Sequence, residues 1–413
     1  MRVTTLRRLV PRGVALITMI IVLVVIDLYT LRLNSMDNTA HGPPLIQRDV
    51  VTPTSKAEEM RQRTEHLRSA CVMYPKRRIV KAVLSSKPLF YLSDRHKLSY
   101  CRVAKVGSTF WTQVFLSLHG VNRRQGKQDA DDTVFDLPRD AAHGKMKQHG
   151  NITTKSVERL NGTTSFLVAR SPYSRLFSSY IDQIYLPNKW NIARSMGIKG
   201  DKCGNNVTFG QFLMSISSKI LDRKLTDLHW APIYSICMPC DYKIDMVAKQ
   251  ETFNDDVEYI LDKANVEQHI RDEVNKAINE QNLIEHSLQT LVGTYVTKGH
   301  HRPIIPKGCV SEKELARRIW HAFQIQGYIH NDVEFPEREF NDVTEEETEA
   351  RLQKAVNEAV ERRKLSGGER AAQRHAWMVK FWKGVSSEVL KMSHDAYYED
   401  FFMFGYDIDP SIM

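Results

Sequence analysis

Four short apolar runs between residues 88 and 249, interleaved with segments of helical spacing, set the tightest limit on how this chain can fold. "PLFYLS" (88–93), "YCRVA" (100–104), "TSFLVAR" (164–170) and "DMVAK" (245–249) read as strands, and segments at about 108–119, 172–185 and 208–221 read as helices. This alternation predicts an α/β sandwich around a mainly parallel central sheet. Highly charged stretches of helical periodicity follow at about 254–290 and 343–394. "LSGGER" (365–370) resembles an ATP-binding-cassette signature, but the chain has no Walker lysine motif, so it reads as a Gly-Gly break between two helices.

Ahead of this region, Val14–Ile26 is an unbroken apolar run that continues to Leu31, long enough to cross a thin bilayer. Arg2, Arg7, Arg8 and Arg12 precede it and only Arg32 follows closely, which predicts a type II anchor. The tail is then 1–13, the transmembrane helix 14–31, the polar stem 32–75 and the luminal domain 76–413. A cleaved signal peptide is the competing reading, but no clear small-x-small site follows the run. Asn151, Asn161 and Asn206 head glycosylation sequons that agree with luminal placement. All six cysteines lie on the same side, and an even count in an oxidising compartment favours disulfides. Cys237 and Cys240 form "CMPC" with no second pair at zinc-ribbon spacing, so disulfides are expected there and no metal site. The net charge of +9 favours polyanionic partners, and the expected topology turns this away from nucleic acid toward an anionic membrane face or an acidic polysaccharide.

The stretch "YCRVAKVGSTFW" (100–111) carries a strand through Lys105 and Gly107 into a helix start with Ser108 and Thr109. Free N–H groups and the positive end of a helix dipole are the chemistry of anion binding. It is neither a P-loop nor a dinucleotide fingerprint, and an ordinary strand-to-helix turn with a solvated lysine is the alternative. A second strand ends at Arg170 and turns through Pro172 into a helix with Arg175, Ser178 and Ser179. Arginine at such a strand end can grip a phosphate in two-pronged fashion, or pair with a carboxylate at the sheet edge.

Taken together, Ala104-Lys105-Val106-Gly107-Ser108 and Arg170-Ser171-Pro172-Tyr173-Ser174-Arg175-Leu176-Phe177-Ser178-Ser179-Tyr180 resemble the two donor motifs of the membrane-anchored carbohydrate sulfotransferases, which include the chondroitin and dermatan 4-O-sulfotransferases. "HWAPIYSICMPCDYKIDMVAKQET" (229–252) and "YYEDFFMFGYD" (397–407) resemble two further blocks of that family, in the same order. Three departures stand out: Ala104 replaces the usual proline, Ser171 replaces the usual aspartate, and the insert near 343–394 lies outside the pattern.

The resemblance implies a P-loop-like sulfotransferase fold over 76–413, a Golgi location, and PAPS (3′-phosphoadenylyl sulfate) as co-substrate without a metal. By the same resemblance, Lys105, Val106, Gly107, Ser108, Thr109 and Phe110 would surround the 5′-phosphosulfate, with Lys105 also catalytic, and Arg170 and Ser178 would hold the 3′-phosphate. The base would be His143, which lies between the two donor motifs, or His229 in the "HWAP" block. The acceptor would be a glycosaminoglycan or other glycan, foremost the GalNAc 4-hydroxyl of chondroitin or dermatan, with terminal GalNAc or glucuronic acid as the alternative. A homodimer is compatible with this picture. The rival classes are a P-loop nucleotide enzyme, which the missing lysine motif disfavours, and a membrane-anchored lectin, which would have no reason to keep two anion sites.

Overall fold

The computed structural model describes residues 55–73, 88–121, 133–148, 152–153, 157–197, 202–224, 226–280, 305 and 308–408. Segment 14–31, the tail and the first part of the stem lie outside them, and among the described residues no helix is long and apolar enough to cross a membrane.

Five strands pair in the order β3-β1-β2-β4-β5: β1 (Leu89–Ser93), β2 (Leu98–Cys101), β3 (Ile152–Thr153), β4 (Thr164–Ala169) and β5 (Met246–Lys249). β2, β4 and β5 run parallel, whereas β1 is antiparallel to β2 and β3 is antiparallel to β1. Four of the five strands, β2, β3, β4 and β5, therefore run the same way, which meets the expectation of a mainly parallel sheet, and β1 alone runs against them. The cause is local: β1 and β2 are joined only by the turn Asp94–Lys97, far too short for the crossover a parallel pair needs. The parallel part carries the site and is buried on both faces, with every residue of β2 enclosed.

The principal helices are α1 (Lys56–Met73), α2 (Ser108–Leu118), α3 (Arg139–Gln148), α4 (Pro172–Tyr180), α5 (Phe209–Leu221), α6 (Phe253–Lys263), α7 (Gln268–Glu280), α8 (Glu312–Gln326), α9 (Glu345–Arg362), α10 (Gly367–Lys383) and α11 (Ser387–Phe404). Of the segment 254–290, the part beyond Glu280 lies outside the described residues. The segment 343–394 is three helices, and its Gly-Gly pair opens α10, with Ser366 as the cap that accepts from Glu369 N.

Residues 56–73 were expected in the stem, yet α1 packs against the sheet. Its buried positions Met60, Thr64, Leu67 and Ala70 form a narrow stripe, so the charged remainder reads as solvated in sequence. Thr64 donates to the Asp245 carbonyl at 3.2 Å, Arg63 and Lys56 pair with buried Asp256, and Cys71 is bridged to Cys240. The other disulfides are Cys101–Cys237 and Cys203–Cys309. The two cysteines of "CMPC" thus staple different elements, and neither offers a thiolate.

One apolar core lies around the sheet, α2 and α6, and a second joins α4, α5, α8, α9 and α11. α4 sits between them, and both anion-site candidates lie at that seam.

Candidate functional site

Backbone geometry builds the first candidate anion site. After β2 the chain takes positive φ at Lys105 (69°) and again at Gly107 (79°), with Val106 between them in the ordinary region. Such alternation turns successive N–H groups toward one point. α2 then begins at Ser108, and its first amides have no acceptor within the helix and no side-chain cap from Gly107. A Cβ at Gly107 would lie 2.9 Å from the Phe253 ring and 3.4 Å from Gln250 Oε1, so only glycine fits. Ser108 and Thr109 are half-buried at this helix start, while Val106 and Phe110 are buried. Phe110 packs edge-on against Phe253 at 5.2 Å and helps line a cavity of about 500 Å³ with Gly107, Gln250, Glu251, Thr252 and Phe253. Gln250 Oε1 is buried there without a hydrogen-bond donor among the described residues.

The Lys105 ammonium is engaged by a residue the sequence reading did not single out. Asp182 Oδ2 accepts from Lys105 Nζ at 2.8 Å, from Arg139 Nη1 at 3.1 Å and from Gln183 Nε2 at 2.6 Å. Asp182 stands in a π turn, Ile181–Tyr185, which continues α4 with an extra residue per turn and swings the carboxylate toward the loop. Burial works against its charge, but Lys105 and Arg139 outweigh that and hold the carboxyl well below the usual range. Burial pulls Lys105 down from its ordinary value, with Asp182 opposing.

Arg170 leaves the end of β4 and reaches the same loop. Its Nη1 donates to the Lys105 carbonyl at 2.8 Å and its Nε to Ser174 Oγ at 2.8 Å. The two candidate anion sites are therefore one place. Ser178 lies one turn beyond Ser174 on the same face of α4, half-buried. The aspartate missing at Ser171 has a substitute: Glu251 accepts from Ser171 N and from the Tyr406 hydroxyl, each at 2.9 Å, and its charge acts on Arg170. Arg175, by contrast, is a buried tie rather than a ligand. It donates to the carbonyls of Ala104 (3.1 Å), Ala231 (2.7 Å) and Leu228 (3.3 Å).

Both candidate bases come to this site. Ser179 Oγ donates to the His229 carbonyl at 2.6 Å, which fixes the "HWAP" loop to α4. His229 Nδ1 faces Asp227 Oδ1 at 2.6 Å, and Lys189 holds the other oxygen of Asp227 at 3.1 Å. Burial keeps the His229 imidazole below its ordinary pKa despite Asp227, with Lys105 among the charges that lower it. His143, on α3, bonds Thr112 Oγ1 through Nδ1 at 3.1 Å. Burial pushes its pKa down to about 3, helped by Arg102, Arg139, Lys147 and the neighbouring His229. Of the sequons, Asn161 and Asn206 are exposed and Asn151 lies outside the described residues.

A sheet whose parallel strands end in a glycine turn and a cationic strand end, both opening onto helix starts, defines an α/β protein with the architecture of an anion site. The chain belongs to the sulfotransferase family, whose sequence pattern matches residues 88–302, just over half of it. It is similar to carbohydrate sulfotransferase 10 of Xenopus laevis, at 28% identity over 50% of this chain and 62% of that protein. Similar too are carbohydrate sulfotransferase 14 of Danio rerio, at 28% over 52% of this chain and 59% of that one, and carbohydrate sulfotransferase 11 of Mus musculus, at 27% over 51% and 62%. The matched segment thus spans about three fifths of these relatives. No solved structure matches the chain.

Proposed function

We propose that this protein is a PAPS-dependent carbohydrate sulfotransferase, anchored as a type II protein in the Golgi membrane, that sulfates the 4-hydroxyl of GalNAc in chondroitin or dermatan. The observation that carries the reading is the bond from Arg170 to the Lys105 carbonyl, which makes two anion sites into one elongated cradle for a doubly phosphorylated nucleotide. The residues fit that nucleotide. The amides at Gly107–Thr109 take a phosphate, the cavity between Phe110 and Phe253 has the size of a nucleotide site, and the orphaned Gln250 Oε1 would accept from an exocyclic purine amine.

When bound, PAPS supplies a sulfuryl group on a phosphate leaving group. Lys105 would neutralise charge on the departing oxygen, an interaction that would strengthen as the bond to the sulfuryl group breaks. His229 is the better-placed base, because Asp227 fixes its tautomer and would stabilise the imidazolium formed when the acceptor hydroxyl gives up its proton. His143, kept neutral by burial beside it, would orient that hydroxyl. Arg102, Arg139 and Lys147 around His143 favour an acidic sugar chain over a neutral one. The test is labelled-sulfate transfer from PAPS to desulfated chondroitin, dermatan, heparosan and neutral glycan termini. The reading expects product only with PAPS and greatest with the GalNAc polymers. Transfer only to a terminal sugar would move the acceptor, and no transfer to any sugar would overturn the activity.

A further inference from the structure

The closing block "YYEDFFMFGYD" (397–407) lies beyond the segment that matches the family pattern, yet it reaches the loop that carries His229. It begins where α11 bends: at Tyr397, φ and ψ of −115° and 15° leave the helical region. Two buried side chains at and just past the bend meet the loop. The Tyr397 hydroxyl donates to the Trp230 carbonyl. The Asp400 carboxylate accepts from Ile233 N at 2.7 Å through one oxygen and from Tyr234 N at 2.8 Å through the other.

These contacts complete a set. Ser179 and Arg175 on α4 hold the carbonyls of His229, Leu228 and Ala231, so with Tyr397 each of the four carbonyls from Leu228 to Ala231 accepts from a buried side chain. Pro232 follows and gives the short helix Ile233–Cys237 no side-chain cap, and Asp400 takes the two amides at its start that have no acceptor within the helix. Asp400 and Arg175 are both buried and of opposite charge, one gripping amides of this segment and the other its carbonyls. A histidine on a loop can receive a proton only where the backbone puts its imidazole. Asp227, the partner of His229 Nδ1, belongs to the same loop and moves with it, so the tie to the rest of the fold must come through the backbone contacts.

We propose that Tyr397 and Asp400 are positioning residues for proton removal: α11 and α4 together grip the His229 loop, and that grip sets where the imidazole stands. The proposal rests on the reading of His229 as the base. It also gives the first part of the closing block a function in the reaction.

A double-mutant cycle on single-turnover transfer of labelled sulfate from PAPS, with whichever polymer of the panel above reacts fastest, tests it. Y397F removes one hydroxyl and keeps the ring, so it is the principal variant; D400N removes a charge and keeps the shape. Each lowers the rate about tenfold, the scale of a base displaced by a fraction of an ångström. The rate is taken per nucleotide site counted by calorimetry with adenosine 3′,5′-bisphosphate, whose affinity changes less than twofold. In H229A, already slow, neither substitution causes a further loss, because nothing is left to position. S393A removes a buried hydroxyl from the same helix away from the loop and keeps the parent's rate. Equal losses in the parent and in H229A would mean a structural role only and overturn the proposal. An unchanged rate in Y397F beside a slow H229A refutes the clamp alone. An H229A as fast as the parent refutes the base reading and the clamp with it, and no transfer by the parent refutes both along with the activity. If D400N does not fold, Y397F decides the matter by itself.

Discussion

Replacing Asp182 with asparagine removes a charge and keeps the shape, which isolates what the carboxylate does for Lys105 and Arg139. At 2.8 Å the Lys105–Asp182 attraction is about 6 kcal/mol before desolvation, with an effective dielectric of about 20. Breaking a buried pair costs roughly 3–5 kcal/mol net. The side chains of Lys105 and Asp182 keep 17% and 14% of their exposure, so the lower end, about 3 kcal/mol, applies. For a unit of about 360 residues, unfolding entropy near 2 cal/mol/K per residue makes this a fall of about 4 °C in Tm.

Asp182 is held below the usual carboxylate range, so its stabilising contribution is complete above the unfolded value and fades only as pH falls through the folded one. The Tm gap is therefore constant from pH 5 to 8. Donor binding moves the other way. Asp182 competes with the incoming phosphates for Lys105, so D182N binds adenosine 3′,5′-bisphosphate about tenfold more tightly, and saturation with it narrows the Tm gap. Scanning fluorimetry with and without the nucleotide reads both effects. An apo Tm equal to the parent's, or weaker nucleotide binding, would refute the reasoning.

Lys105→Ala lowers kcat by about 10²–10³-fold while nucleotide affinity changes less than tenfold, since the ammonium acts on developing charge; single-turnover transfer beside calorimetry separates the two. Asp227→Asn lowers kcat by roughly 10²–10⁴-fold. It also shifts the acidic limb of the pH profile, which already lies below pH 6.5 because burial depresses His229, to still lower pH, since the carboxylate was what raised the imidazole. Removing the Cys101–Cys237 bridge as the paired serine variant costs about 2–5 kcal/mol, a Tm loss of roughly 3–7 °C measured by calorimetry.

The sequence announces the parts of this fold whose signals are local. β1, β4 and β5 lie within a residue or two of their expected positions, because apolar runs bounded by turn residues need little tertiary information, and the Lys105 and Arg170 turns stand out for the same reason. What escaped is what depends on distant pairing. The direction of β1 is set by a short turn that its apolar pattern does not register. The two-residue β3 carries too few residues for any pattern. α1 hides its buried stripe under charge and is recognisable only through Asp256 and Cys240, far along the chain. Within the site, Asp182 reads as one more polar residue on a helix until the π turn redirects it, and Glu251 replaces the missing acid at Ser171 from 80 residues away. The spacing from Ser178 to Arg175, regular as it is, does not say that one faces the cradle side of α4 while the other is enclosed.

That enclosed arginine has a consequence for how the molecule matures. Three carbonyls from two remote segments converge on Arg175, so the Lys105 turn and the His229 loop are both held to α4 through one side chain. On the proposed function, a chain with its strands paired but this junction unmade would hold neither the turn nor the loop in place, and nucleotide retention would report that the junction has closed.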